Sequence, residues 1–155
     1  MKRIVCYFSA TGITKTVASM IADFTESDLF EIEPKQKYTE DDLNWQDENS
    51  RTTIEMKDKK SRPGIVNKVS NIDSYDEVII GFPVWWYTAP TIINTFIEEN
   101  DLNNKKIYVF VTSGGSTADG SFTDLSKKYP NLNFVSGKKL NRNIEKEDIL
   151  EWLEG

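Results

Sequence analysis

The chain has 155 residues, with 19 Lys and Arg set against 25 Asp and Glu for a formal charge of −6. That balance argues against nucleic acid, which demands a basic footprint, and is compatible with protein partners that present a basic patch or with plain solubility. The absence of histidine and a single cysteine, Cys6, exclude His-dependent catalysis, an internal disulfide and a structural zinc site, so no metal is expected.

At 38% hydrophobic and 28% charged residues, the composition fits a globular domain, and the length fits one domain spanning residues 1–155. No run approaches the roughly 20 apolar residues of a membrane span, and the first strand begins too early for a signal peptide. A reducing cytoplasm is the expected location, with Cys6 as a small buried hydrophobe.

The first predicted strand, Ile4 to Phe8, ends abruptly in Ser9-Ala10-Thr11-Gly12-Ile13-Thr14 and is followed at once by a helical pattern, Val17, Ala18, Ile21 and Phe24. A strand turning directly into a helix N-terminus gathers backbone N–H groups around an anion. Hydroxyls at Ser9, Thr11 and Thr14 around one glycine add neutral donors suited to phosphate. Other nucleotide loops fit less well. A Walker A loop would need a glycine where Ser9 stands, and a Rossmann loop needs three glycines where only Gly12 is present, although Glu33 lies where a ribose-binding acid would. A receiver domain would need carboxylates at the end of the strand. The plain alternative is an ordinary capped helix.

Leu29 to Ile32 reads as a second, less apolar strand nearer an edge. Residues 34–62, bounded by Pro34 and Pro63, are highly charged and predict an irregular or partly helical excursion, in which Trp45 is not expected to matter for binding. Val78 to Phe82 and Ile107 to Val111 are continuous apolar runs of the kind found in central strands covered on both faces. A helix entered through Pro90 carries Ile92, Ile93, Phe96 and Ile97. A short helix over 121–128, a fifth strand over 132–135 and a closing helix over 144–153 complete the pattern. Alternating strands and helices imply parallel crossovers in a three-layer α/β sandwich, and a five-stranded doubly wound sheet of order 2-1-3-4-5 is the arrangement expected of it.

In that order, the loops after strands 1, 3 and 4 meet at the carboxyl edge of the sheet. The loop after strand 3 reads Gly81-Phe82-Pro83-Val84-Trp85-Trp86-Tyr87-Thr88-Ala89-Pro90; its three consecutive aromatics suit a planar ring, or else the core or a dimer interface. Alternation turns Trp85 and Trp86 opposite ways. The loop after strand 4, Thr112-Ser113-Gly114-Gly115-Ser116-Thr117, allows close backbone approach, with a helix terminus from Ser116 on.

Together, S-x-T-G-x-T, P-x-W-W-Y-x-A-P, T-S-G-G-S and the closing I-x-x-W-L resemble the flavodoxin-like family over nearly the whole chain. The resemblance implies a flavodoxin fold with non-covalent FMN. By position it assigns Ser9, Ala10, Thr11, Gly12, Ile13 and Thr14 to the phosphate, Pro83, Val84, Trp85, Trp86 and Tyr87 to the isoalloxazine ring, and Thr112, Ser113, Gly114 and Gly115 to the pyrimidine and ribityl side. Ile13 departs from the Asn or small residue of many members, and the loop after strand 4 lacks the Tyr-plus-acid pattern that usually covers the second ring face. The functions implied are electron transfer between redox partner proteins or, with an open ring face, NAD(P)H-dependent reduction of a quinone-like acceptor. Neither needs a catalytic side chain from the chain itself. A non-redox ligand-binding module is the third reading, marked by absence of flavin.

Overall fold

The computed structural model describes residues 2–154. Five parallel strands, β1 (Arg3–Tyr7), β2 (Asp28–Glu31), β3 (Glu77–Pro83), β4 (Lys106–Thr112) and β5 (Asn133–Lys139), form one sheet in the order β2-β1-β3-β4-β5. The helices α1 (Ile13–Thr25), α2 (Arg51–Lys57), α3 (Thr91–Glu99), α4 (Asp119–Lys128) and α5 (Lys146–Glu154) connect and cover them. This is the doubly wound order expected from the sequence. None of the described helices is long and apolar enough to cross a membrane.

Alternation along the central strands assigns the two faces. Val78, Ile80, Phe82, Ile107, Val109 and Val111 form one buried cluster with Ile92, Ile93 and Phe96 of α3 and Leu125 of α4. Val5, Tyr7, Ile79, Tyr108 and Phe110 face the other way, onto Val17, Ala18 and Ile21 of α1 and Ile149 and Trp152 of α5. Edge strand β2 buries little of its length, in keeping with its less apolar sequence. Strand β5 runs farther than its apolar residues foretell. A bulge between the Ile107 and Tyr108 pairings leaves Val135 exposed and turns Ser136 toward α5, where it accepts a hydrogen bond from Trp152 Nε1 at 3.1 Å.

The charged excursion docks on the core through Tyr38 and is otherwise ordered by polar contacts. Thr39 and Asp42 exchange backbone-to-side-chain bonds at 3.0 and 3.1 Å, and Thr52 donates to the Asp42 carbonyl through both N–H and hydroxyl. Ser50 caps α2. The Arg51 guanidinium lies 3.8 Å from the centre of the Tyr38 ring and bonds Glu55, which also accepts from the Tyr38 hydroxyl at 2.6 Å. Burial and this carboxylate push the Tyr38 phenol up, so it stays protonated as the donor.

One glycine sets how closely the sheet packs. A Cβ on Gly81 would stand 2.0 Å from the Phe110 ring, which lies across the neighbouring strand at the register Gly81↔Phe110. Gly81→Ala is therefore expected to cost about 1–3 kcal/mol by overpacking, read as a lower urea midpoint at unchanged m. In a Phe110→Leu background the cost should shrink, because the obstructing ring atoms are gone.

Candidate functional site

Strand register brings three loops to one edge. Tyr7 pairs with Gly81 and Pro83 with Thr112, so β1, β3 and β4 end close to the same level. The ladder continues past the strand ends, with Phe8 N–H donating to the Gly81 carbonyl at 3.0 Å and Val84 N–H to the Thr112 carbonyl at 3.2 Å. A buried hydroxyl pair, Thr14 Oγ1 and Thr112 Oγ1 at 2.7 Å, ties the first loop to the third.

In the first loop, Gly12 caps α1 with φ 96°, a left-handed conformation that a side chain would strain. Ser9 Oγ accepts from Gly12 N–H at 3.0 Å, and Thr16 returns to the Gly12 carbonyl through its N–H and hydroxyl. The N–H groups of Ile13, Thr14 and Lys15, in the first turn of α1, have no acceptor within the helix. No acidic residue occupies that turn to repel an anion. Thr11, Gly12 and Ile13 are exposed on the lip, Ser9 and Ala10 are half-buried, and Thr14 turns inward to Thr112.

The second loop is a two-residue hairpin. Trp85 and Thr88 exchange backbone bonds at 3.0 and 3.1 Å, and the turn residues Trp86 and Tyr87 have φ of 50° and 66°. A turn of this hand normally carries Asn-Gly. Non-glycine residues there cost on the order of 1–3 kcal/mol each and persist only where the surroundings over-determine them. Trp85 supplies one anchor, packing edge-on against Phe8 at 5.5 Å and Tyr38 at 5.4 Å. The Thr88 hydroxyl supplies another, donating to Asp124 on α4 at 2.6 Å. Gly120 lets α4 close on the turn, since a Cβ there would meet the Tyr87 carbonyl oxygen at 2.6 Å. The strain displays Trp86, 40% exposed, and Tyr87, 81% exposed, while Val84 packs on the core.

In the third loop, Ser113 Oγ accepts from the N–H groups of Gly115 and Ser116 at 3.0 and 2.7 Å. Neither Gly114 nor Gly115 has a positive φ, and a Cβ on either would meet nothing within 4 Å. Their missing side chains instead leave the rim bare. The helix that follows starts at Asp119 rather than Ser116.

Between the second loop, the end of the third and the excursion lies a cavity of about 420 Å³ walled by Trp45, Val84, Trp85, Trp86, Tyr87 and Ser116; no residue of the Ser9–Thr14 loop is among its walls. A neighbouring hollow of about 520 Å³ shares Tyr87 and Ser116 and adds Gly115, Thr117 and Gly120. Trp45, not expected to matter for binding, lines this cavity, because the turns of the excursion carry it to the hairpin. Its signal in the sequence is an indole within a polar, charged stretch, and in the structure it is 68% exposed. Ser116 and Thr117, read in the third loop without a ligand contact, and Gly120, not singled out in the sequence, line these hollows as well. Cys6 is fully buried in β1, and burial raises its thiol pKa, so it offers no nucleophile. The lining is aromatic and neutral; the Ser9–Thr14 loop, at the same edge of the sheet, offers hydroxyls, amides and no carboxylate. A planar aromatic ring bearing a phosphate fits that donor set.

The sequence model of the Flavodoxin family matches residues 2–155. The chain is 46% identical to a candidate flavoprotein from Bacteroides eggerthii DSM 20697, whose crystal structure superposes with a TM-score of 0.96 over 99% of this chain and 96% of that one. A flavoprotein from Lactobacillus acidophilus NCFM, crystallised in complex with FMN, shares the fold with a TM-score of 0.77 at 22% identity, covering 98% of each chain. NAD(P)H dehydrogenase (quinone) 1 of Rattus norvegicus is 22% identical over 136 residues, 73% of this chain and 48% of that protein, so the chain spans about half of that relative's length.

The hydroxyl pair between the loops is testable by itself. Thr14→Val leaves the Thr112 hydroxyl buried without its partner and is expected to destabilise by about 1–3 kcal/mol. The Thr14→Val/Thr112→Val double variant should cost less than the two single changes summed, as measured by urea unfolding.

Proposed function

This chain belongs to the flavodoxin family, and on that premise we propose that it binds FMN non-covalently and carries electrons between redox partner proteins. The observation that carries the reading is the juxtaposition of an anion cradle made of neutral donors with an aromatic-walled cavity, both at the carboxyl edge of the sheet. The L. acidophilus relative that holds FMN on the same fold supports it.

In this reading Ser9, Thr11 and the free amides of Ile13 and Thr14 hold the phosphate. Thr14 also fixes that loop against Thr112 through its buried hydroxyl. Trp86, Tyr87 and Trp45 wall the ring, while Trp85 positions the turn from beneath. Gly114 and Gly115 let backbone approach the ligand without a side chain intervening. Bound FMN supplies the redox chemistry, accepting and releasing electrons. The cavity lining holds no carboxylate, lysine or arginine to shuttle protons to a substrate, which favours a carrier. Exposed Glu40, Asp41, Asp47 and Glu48 flank Trp45 and give a partner with a basic patch a surface to meet.

The second reading, an NAD(P)H-dependent FMN oxidoreductase acting on a quinone-like acceptor, draws on the rat quinone dehydrogenase similarity and on the open hollow beside Tyr87.

FMN should bind more tightly than riboflavin in fluorescence titrations; equal affinity removes the phosphate cradle from the site. Trp86→Ala and Trp45→Ala should each weaken FMN by roughly 2- to 13-fold, the equivalent of about 0.5–1.5 kcal/mol of aromatic contact. Tyr87→Gly should weaken it as well yet leave the unfolding midpoint no lower, because glycine relieves the positive φ. Under anaerobic conditions a one-electron donor should bleach the bound flavin much faster than NADPH does. Rapid bleaching by NADPH alone would replace the carrier with the oxidoreductase.

A further inference from the structure

The tyrosines of this chain differ in what their rings and hydroxyls touch. Three donate to a carboxylate: Tyr38 to Glu55 and Tyr75 to Asp28, both at 2.6 Å, and Tyr129 to Glu98. Two pack edge-on against an indole: Tyr38 on Trp85 and Tyr108 on Trp152. Among the described residues Tyr38 alone does both. Tyr108 donates instead to the Leu153 carbonyl, which is too weak a base to take a proton.

That combination bears on one-electron chemistry. A phenol that loses an electron becomes a very strong acid, so its proton must leave, and a base already hydrogen-bonded to it receives that proton directly. Glu55 Oε1 stands within the reach such a transfer needs. Its other oxygen, Oε2, accepts from Arg51 Nε at 2.8 Å, which fixes the carboxylate with Oε1 on the phenol. Both side chains of this ion pair are largely shielded from water, Arg51 at 17% and Glu55 at 13% exposure. The Arg51 guanidinium also lies 3.8 Å from the centre of the Tyr38 ring, and a positive charge there opposes a second one on the ring itself. Loss of an electron from Tyr38 is therefore tied to loss of its proton. At rest, burial and Glu55 keep the phenol protonated. On its other side Tyr38 meets Trp85, with ring centres 5.4 Å apart, and Trp85 is part of the aromatic cavity wall. Phe8, fully buried, packs on both rings at 5.6 and 5.5 Å and keeps them in register.

We propose that Trp85, Tyr38 and Glu55 form a proton-coupled relay that supplies one electron to a one-electron oxidant in the aromatic cavity, light-excited flavin being the class that suits that cavity. Trp85 gives an electron to the oxidant and recovers one from Tyr38. The Tyr38 O–H bond breaks, and an O–H bond forms on Glu55 Oε1. The net result is an oxidant reduced by one electron, a neutral phenoxyl radical at Tyr38 and a neutral carboxylic acid at Glu55. Return of the electron from the cavity, with return of the proton from Glu55, restores every group. The oxidising equivalent thus rests at Tyr38, beneath the hairpin, and not on the exposed rings of Trp86 and Tyr87. The relay forms without flavin; only the choice of oxidant rests on the FMN reading.

The test is pulse radiolysis of the flavin-free full chain, with azide radicals to oxidise its exposed indoles. A Tyr87→Phe background removes the tyrosine adjacent to Trp86 in sequence. Indolyl absorbance should decay as phenoxyl absorbance grows, at a rate independent of protein concentration. Tyr38→Phe keeps the ring packing and should cut the phenoxyl yield at least 5-fold, whereas Tyr108→Phe should leave it unchanged. Glu55→Gln should slow phenoxyl growth at least 10-fold, and D₂O should slow it at least 1.5-fold because the proton moves with the electron. An unaltered yield in Tyr38→Phe, or growth as fast in D₂O as in water, would overturn the relay, and the D₂O comparison stands even where Glu55→Gln unfolds. In the complex with FMN, laser excitation should give the same phenoxyl signal, lost in Tyr38→Phe; its absence there overturns flavin as the oxidant. A chain that fails to bind FMN refutes the carrier reading alone, and the azide measurement still decides the relay.

Discussion

The parallel pairing of β1 with β3, and of β3 with β4, is the constraint on which everything else rests. Parallel strands cannot be joined by tight turns, so each connection must cross a face of the sheet, and helices cover both faces. Because the chain starts in the middle of the sheet and winds outward in both directions, adjacent strands leave toward opposite faces at β1 and β3. The loops there part and leave a crevice. Gly81 holds the strands beside that crevice in close packing by yielding its side-chain space to Phe110.

The hairpin after β3 shows what the crevice demands of its wall. Two aromatic residues occupy backbone conformations that favour glycine or asparagine, and the surroundings hold them there from three directions: Trp85 below, Asp124 through Thr88, and the bare backbone of Gly120. Local preference loses to tertiary contacts at this turn, which presents two large rings on a rigid support.

Fold and site were legible to different degrees. The central strands announced themselves because burial on both faces makes them continuously apolar, and the alternation of strands with helices implied parallel crossovers. The three loops stand out in the sequence by residue type: hydroxyls around Gly12, rings at Trp85 to Tyr87, glycines at 114 and 115. Trp45 does not, because a segment ordered by Thr39–Asp42, Ser50 and Arg51 has no apolar period to read and its turns decide where one indole lands. Gly120 was missed for a related reason, since its role is a close approach between elements far apart in sequence. The extension of β5 was hidden because Ser136 and Lys138 follow a bulge on an edge strand, where polar residues are tolerated.

The contacts of Tyr38 join two segments that the sequence keeps far apart. Its ring meets Phe8 at 5.6 Å and Trp85 at 5.4 Å, while Arg51 and Glu55 grip it from the excursion. Releasing the excursion would strip Trp85 of one of its two aromatic supports, and releasing the hairpin would loosen Tyr38 in turn. The two segments thus form a single cooperative opening unit, whose local unfolding free energy is shared rather than separate. Any ligand that grips Trp86 and Tyr87 thereby draws on the folding of residues 36–55. By thermodynamic reciprocity, the stability of that charged stretch sets part of the ligand's affinity.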